Sequence, residues 1–203
     1  MRAFARQPVR YLITTGTLSD ANFSTEHPHL LKLIGSAIER GIELVQIREK
    51  NLNARYLFEL ASESVQLASG SGTRILVNER FDIAMAAGAP GVQLTSRSIP
   101  VGSVRQNAPK GFLIGVSAHS REEVIAAKDG GADFALFGNV FGSPGKPEPA
   151  GLEVLSDICS VAVSLPVIAV GGIDSSNWKS VIEAGAAGFA AIRYLNEFVS
   201  IGE

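Results

Sequence analysis

Short apolar runs of four or five residues alternate with longer amphipathic stretches along most of the chain. The runs are RYLIT (10–14), ELVQI (43–47), RILVN (74–78), GVQL (91–94), FLIGV (112–116), FALFG (134–138), PVIAV (166–170) and GFAAI (188–192). Most lack the polar–apolar alternation of a half-buried strand, which is the signature of parallel strands covered on both faces. Between them the periodicity predicts helices over 27–41, 53–70, 120–131 and 175–186. The third opens with Ser120 as N-cap and Glu123 three residues later, a capping box, and the fourth is expected to open the same way. Three helical stretches end in related phrases, AAGAPGVQL, DGGADFALF and EAGAAGFAA, a loose internal echo.

Eight strand–helix units in 203 residues, with no linker-like gap, predict an α/β chain folded as one compact (β/α)8 TIM barrel over residues 1–203. The rival is an open doubly wound sheet, and no GxGxxG follows the first strand to favour it. The tail after Ile192 is short, so a reduced eighth helix is expected.

Composition narrows the partners. A formal net charge of −2 provides no global field for nucleic acid or a membrane surface, so any anionic ligand must be held by local groups. The one cysteine, Cys159, rules out an internal disulfide and fits a reducing, cytoplasmic setting. Arg2, Arg6 and Arg10 are not followed by a long apolar stretch, so no signal peptide is expected. LPVIAV (165–170) is far too short to span a bilayer.

In a barrel of this kind the chemistry sits at the C-terminal ends of the strands. After the second strand come Gln46, Arg48 and Lys50. They alternate, so an extended backbone puts them on one face where they can converge on an anion. Their competing role is a solvated turn paired with Glu49. After the third strand, Asn78 can hydrogen-bond a ring nitrogen or amide, while Arg80 and Asp82 read as structural. Gln93, Thr95, Ser96 and Ser98 follow the fourth strand and bring no carboxylate. Ser117 and His119 follow the fifth, and a histidine at a catalytic strand end is a natural acid–base. The Gly/Pro-rich loop 138–151 carries Lys146, which can reach an anion if the loop closes as a lid. Gly171 and Gly172 follow the seventh strand; Ile192 and Arg193 follow the eighth. Backbone N–H groups at these two places commonly cradle a phosphate. There is no zinc-spaced cluster, P-loop or nucleophile elbow, and no metal site is expected.

Taken in order, VQIREK, LVNERFDIA, GVQL, IGVSAHSREEV, GADFALFG, the lysine-bearing loop and PVIAVGGI resemble the thiamine phosphate synthase/TenI superfamily over roughly residues 9–195. The resemblance implies a (β/α)8 barrel and a phosphorylated thiazole as ligand, without nucleic acid or membrane partners, and leaves assembly as a homodimer open. Two branches of the superfamily compete. The synthases join a pyrimidine diphosphate to thiazole phosphate with magnesium, held by an aspartate after the third strand and another after the fourth. Here those positions are Glu79 and Ser98. Magnesium has narrow geometric tolerance, so this departure sets the synthase second, with Mg2+ as its cofactor. Gln46, Arg48, Asn78, Ser117 and Lys146 still match its pattern. The TenI-type thiazole tautomerase needs no cofactor, and VQLTSRSIP resembles its acid-free stretch. By that resemblance His119 is the catalytic acid–base of an isomerase, with Arg48 and Lys50 on the substrate carboxylate and Gly171, Gly172, Ile192 and Arg193 around its phosphate. A non-catalytic thiazole or thiamine phosphate-binding protein is the third reading.

Overall fold

The structure, a computed structural model, describes residues 8–142, 145 and 148–200. Eight parallel strands alternate with eight helices in chain order: β1 (Val9–Ile13), α1 (Phe23–Glu39), β2 (Leu44–Ile47), α2 (Ala54–Leu67), β3 (Arg74–Asn78), α3 (Phe81–Ala86), β4 (Gly91–Leu94), α4 (Val101–Asn107), β5 (Leu113–Ala118), α5 (Arg121–Asp129), β6 (Phe134–Gly138), α6 (Gly151–Val161), β7 (Val167–Val170), α7 (Trp178–Glu183), β8 (Gly188–Ala191) and α8 (Arg193–Ser200). Each strand pairs with its neighbours in sequence, and β8 returns to β1 to close the barrel. The expected TIM barrel is therefore observed.

Strand alternation divides the apolar residues into two cores. Val9, Tyr11, Ile13, Leu44, Leu76, Leu113, Phe134, Leu136, Ile168 and Ala190 point inward and fill the barrel. Their neighbours along each strand, such as Leu12, Val45, Ile75, Val77 and Val92, pack under the helices. This is why the strand runs read as continuously apolar: both faces are buried. Tyr11 and Phe134 meet edge to face across the interior at 5.9 Å between ring centroids. Toward the C-terminal ends the inward positions turn polar, as Gln46, Asn78, Gln93 and Ser117 continue the inward parity of their strands.

The internal echo has a physical basis. Gly41, Gly88, Gly131 and Gly185 all have positive φ. The residue after each donates its N–H back to a carbonyl in the preceding helix: Ile42 to Ala37, Ala89 to Ala84, Ala132 to Ala127 and Ala186 to Val181. This is one Schellman cap used four times, and it turns each chain into the next strand.

Three helices differ from the sequence expectation. α1 starts at Phe23 rather than 27, because its apolar stripe (Phe23, Leu30, Ile34, Ala37) begins one turn before Pro28. α7 starts at Trp178 rather than 175. The Asp174 carboxylate accepts from Ser176 N and Oγ, and Asn177 Oδ1 accepts from Asp174 N, so 174–177 is a side-chain-stabilised turn. In α5, Ser120 Oγ accepts from Glu123 N at 3.2 Å, but the returning Glu123 carboxylate takes the N–H of His119 at 2.6 Å. The cap thus anchors the backbone of His119 as well as the helix. α8 buries Leu195, Asn196 and Val199 and, at 8 residues, is longer than α3, α4 and α7, so the reduced eighth helix expected from the short tail is not observed.

Candidate functional site

Polar side chains gather at the C-terminal mouth in two connected series. The first begins at Glu79. Its Oε1 accepts from Thr95 Oγ1 at 2.6 Å, and its Oε2 accepts from Asn78 Nδ2 at 3.0 Å. Asn78 Oδ1 then accepts from Gln46 Nε2 at 2.7 Å. The direction of this chain is forced. An ionised carboxylate only accepts, so Asn78 must present its NH2 to Glu79 and its oxygen to Gln46. Gln46 must then use its NH2 on Asn78. Its Oε1 is left buried with no hydrogen-bond partner, on a residue only 2% exposed. Buried acceptors are rarely left in that state. The hydrogen bond from Thr95 is the largest influence on Glu79, aided by Lys50, Asn78 and Arg97; against the opposing effect of burial they hold its carboxyl below the usual glutamate value. Glu79 also has a left-handed backbone, φ 61°, which costs a non-glycine residue of order 1–3 kcal/mol.

The second series runs across the barrel. Tyr11 is fully buried, which raises its phenol well above the ordinary value and keeps it neutral. Its OH donates to Gln93 Oε1 at 3.1 Å, so the Gln93 amide is oriented with Nε2 toward Ser117 Oγ, 3.2 Å away.

The cations after β2 are arranged differently from the convergent trio the alternation predicts. Lys50 leans onto Glu79, with Nζ 3.8 Å from Oε2. The backbone N–H of Arg48 donates to the buried Thr14 hydroxyl at 2.9 Å, holding β2 against the end of β1. Glu49, read as their ion-pair partner, instead turns inward. It accepts from Gly16 N at 3.0 Å and Leu18 N at 2.8 Å, and so clamps the β1–α1 loop. Arg80 and Asp82 form a two-pronged pair at 2.9 and 2.6 Å at the start of α3, a structural role as expected.

His119 follows β5 and is exposed. Its Nδ1 contacts the carbonyl of Gly138 at the end of β6. A carbonyl only accepts, so Nδ1 is the donor in this contact, and in the neutral ring the lone pair then falls on Nε2. Gly171 and Gly172 both have positive φ, at 103° and 62°. A β-carbon on Gly171 would lie 2.4 Å from Asn139 Cβ, and one on Gly172 would lie 2.6 Å from the Gly142 carbonyl oxygen. The glycine pair therefore lets the β6–α6 and β7–α7 loops touch, a packing reason that the sequence motif alone does not disclose. Ile192 and Arg193 are exposed at the start of α8. Lys146 lies outside the described residues.

Sequence reasoning thus found Gln46, Asn78, Ser117 and His119 at the mouth, but missed Glu79 and Thr95 as parts of the first series and Tyr11 and Gln93 as parts of the second. The available signal was inward parity: Tyr11 shares its face of β1 with Val9 and Ile13, and Gln93 continues the inward face of β4.

Comparison with known proteins gives a consistent result. The family described as Thiamine monophosphate synthase matches residues 11–195. A putative thiamine-phosphate synthase of Geobacter sulfurreducens is 43% identical over 166 residues, 80% of this chain and 78% of that protein. The thiamine-phosphate synthase of Methanocella arvoryzae is 36% identical over 185 residues, 90% and 84% of the two chains. Among solved structures, a thiamine phosphate pyrophosphorylase from Pyrococcus furiosus superposes with a TM-score of 0.78 at 31% identity, covering 94% of this chain and 91% of that one. These relatives carry the synthase name, the reading that the missing second acid had placed behind the tautomerase.

Proposed function

The chain belongs to the thiamine monophosphate synthase family and is an enzyme of thiamine biosynthesis; from that premise we propose that it is itself a thiamine-phosphate synthase. The observation that carries this reading is the orphaned Oε1 of Gln46. A ligand group that meets it would have to be a hydrogen-bond donor. An amino-substituted pyrimidine ring supplies one, and a thiazole ring does not. Through Asn78, the carboxylate of Glu79 keeps the unpartnered atom of Gln46 an acceptor.

In the reaction the methylene–oxygen bond to the diphosphate breaks, the thiazole nitrogen gives its electron pair to the methylene carbon, and pyrophosphate leaves. Arg48 and Lys50 would hold the diphosphate, Lys50 by turning on its long stem from Glu79 onto a phosphate oxygen. Magnesium bound mainly by substrate phosphates needs only one or two protein carboxylates, so the single ionised Glu79 fits it where a protein-only cage would not. When bound, the ion would neutralise charge building on the leaving group. Ser117, which accepts from the Gln93 amide that Tyr11 orients, would donate to the same group. The backbone around Gly171, Gly172, Ile192 and Arg193 would take the thiazole phosphate.

The direct test supplies a pyrimidine diphosphate, thiazole phosphate and Mg2+. Thiamine phosphate and pyrophosphate should appear in equal amounts and vanish on chelation. A second reading is favoured by the Nε2 lone pair of His119, which suits proton transfer between two carbons of a carboxythiazole phosphate. If the first assay yields no product while metal-free protein removes the C2 proton signal of that substrate, the tautomerase is correct. In that case His119→Ala should lower turnover by ~10²–10⁴-fold. Ligand-dependent stabilisation without turnover in either assay would leave a binding protein.

A further inference from the structure

We propose that helices α1 and α2 carry a site for a first-row divalent transition-metal ion of the zinc class, ligated by His27, Glu59 and Glu63. It lies in the outer helical layer and is independent of the reaction at the strand ends. One ligand atom from each of the three residues lies within 4.8 Å of the others. His27 Nε2 is buried and has no hydrogen-bond partner, on a side chain only 12% exposed. It faces Glu63 Oε2 at 3.6 Å, too far for a normal hydrogen bond. With bonds of about 2.0–2.2 Å, a tetrahedral ion separates its ligand atoms by about 3.4 Å. The His27–Glu63 pair already has that spacing, and Glu59 closes the remainder by a change of side-chain rotamer.

The surroundings favour a bound ion. Glu59 and Glu63 are four residues apart on one helix face, so two like charges sit side by side without benefit to the helix. The His27 ring stacks on Phe23 at 4.5 Å, and Phe23 in turn stacks on Tyr56 at 4.2 Å. Those contacts fix the plane of the imidazole and hence the direction of Nε2, the task outer residues perform at metal centres. One imidazole with two carboxylates suits zinc, cobalt or nickel, whereas magnesium and calcium prefer oxygen alone. Three protein ligands leave a fourth position for water. The ligands come from two helices, so no contiguous motif announces them and sequence spacing predicted no metal site.

The test titrates Zn2+ onto the chelator-stripped full chain in competition with a chromophoric chelator, with Co2+ absorption as a spectroscopic check. One equivalent should bind, and the thermal midpoint should rise by about 5–10 °C at a hundredfold excess over Kd. Glu63→Gln, isosteric and on a half-exposed side chain, should weaken zinc by at least tenfold, as should His27→Gln. His29→Gln removes an exposed histidine of the same helix and should change nothing. The proposal is overturned by no zinc uptake, by unchanged affinity in Glu63→Gln, or by equal stabilisation with Mg2+.

Discussion

Replacing Gln46 with methionine separates a ligand-binding glutamine from a structural one. The side chains are similar in volume, so packing changes little. Two polar effects then oppose each other. The substitution removes a buried acceptor that has no partner, relieving about 1–3 kcal/mol. It also removes the 2.7 Å bond to Asn78 Oδ1 and leaves that oxygen unpaired in a buried residue, at a similar cost. Stability should therefore change by no more than about 1 kcal/mol, or roughly 2–4 °C in a chain of this size. Binding has no such compensation. A ligand N–H that loses its buried acceptor forfeits about 1–3 kcal/mol, which is about 5- to 150-fold in affinity. Urea unfolding measures the first quantity, and calorimetric titration with the pyrimidine diphosphate measures the second. A loss of 3 kcal/mol in stability with unchanged affinity would refute the reasoning and make Gln46 a strut.

Two further outcomes follow from the same mouth. Thr95 provides the largest effect lowering the Glu79 pKa, so Thr95→Val should move the Glu79 midpoint upward in a carboxyl NMR titration, and an unmoved midpoint would contradict the assignment. The sign for stability follows: a carboxyl lowered in the folded state stabilises it above the ordinary glutamate value and ceases to as pH falls through the lowered one, so Thr95→Val should lose stability near neutral pH and differ least at strongly acidic pH. On β5, a β-carbon at Gly115 would lie 2.3 Å from Phe134 Cζ and 2.4 Å from Gln93 Oε1; Gly115→Ala should cost roughly 1–3 kcal/mol by overpacking and displace Gln93, and wild-type denaturation would show that the interior yields more than its packing suggests.

The barrel was legible because its strands are buried on both faces and four of its helices end in one repeated cap. RILVN, GVQL and FALFG match their strands at both ends, and the Ala/Gly phrases mark where Schellman turns deliver the chain to the next strand. Helix starts were less legible. Both α1 and α7 are set by local events, a stripe beginning before a proline and an Asp174-centred turn, which periodicity does not register. The site was partly legible. Position just after a strand run brought Gln46, Asn78 and Ser117 to the mouth, but alternation alone could not show that Lys50 pairs with Glu79 or that Glu49 turns in to clamp a loop. Those outcomes depend on which groups across the barrel lack partners, a property of the closed structure and not of any one segment.

The polarity of the first series also explains why a glutamate can stand where the family pattern has an aspartate. Asn78 and Gln46 are amides, and each could present either end to its neighbour. Only a group that cannot donate, fixed at one end, removes that ambiguity. Glu79 is such a group, and Thr95 and Lys50 hold it in the ionised form. Its backbone is left-handed, and the Thr95 hydroxyl reaches its carboxylate from the end of β4. The carboxylate then has two tasks, one direct and one indirect. It offers an anionic oxygen at the mouth, and it dictates, two amides away, that the unpartnered Gln46 atom is an acceptor. Glu79→Gln tests the second task without destroying the hydrogen-bonded frame. A neutral amide at 79 can donate, so the Asn78 and Gln46 amides can rotate, and Gln46 can present NH2 instead. Affinity for an amino-bearing ring should then fall even with no metal present. If metal-free affinity is unchanged in that variant, the orientation at Gln46 is set elsewhere and the chain of amides is not the ligand's frame.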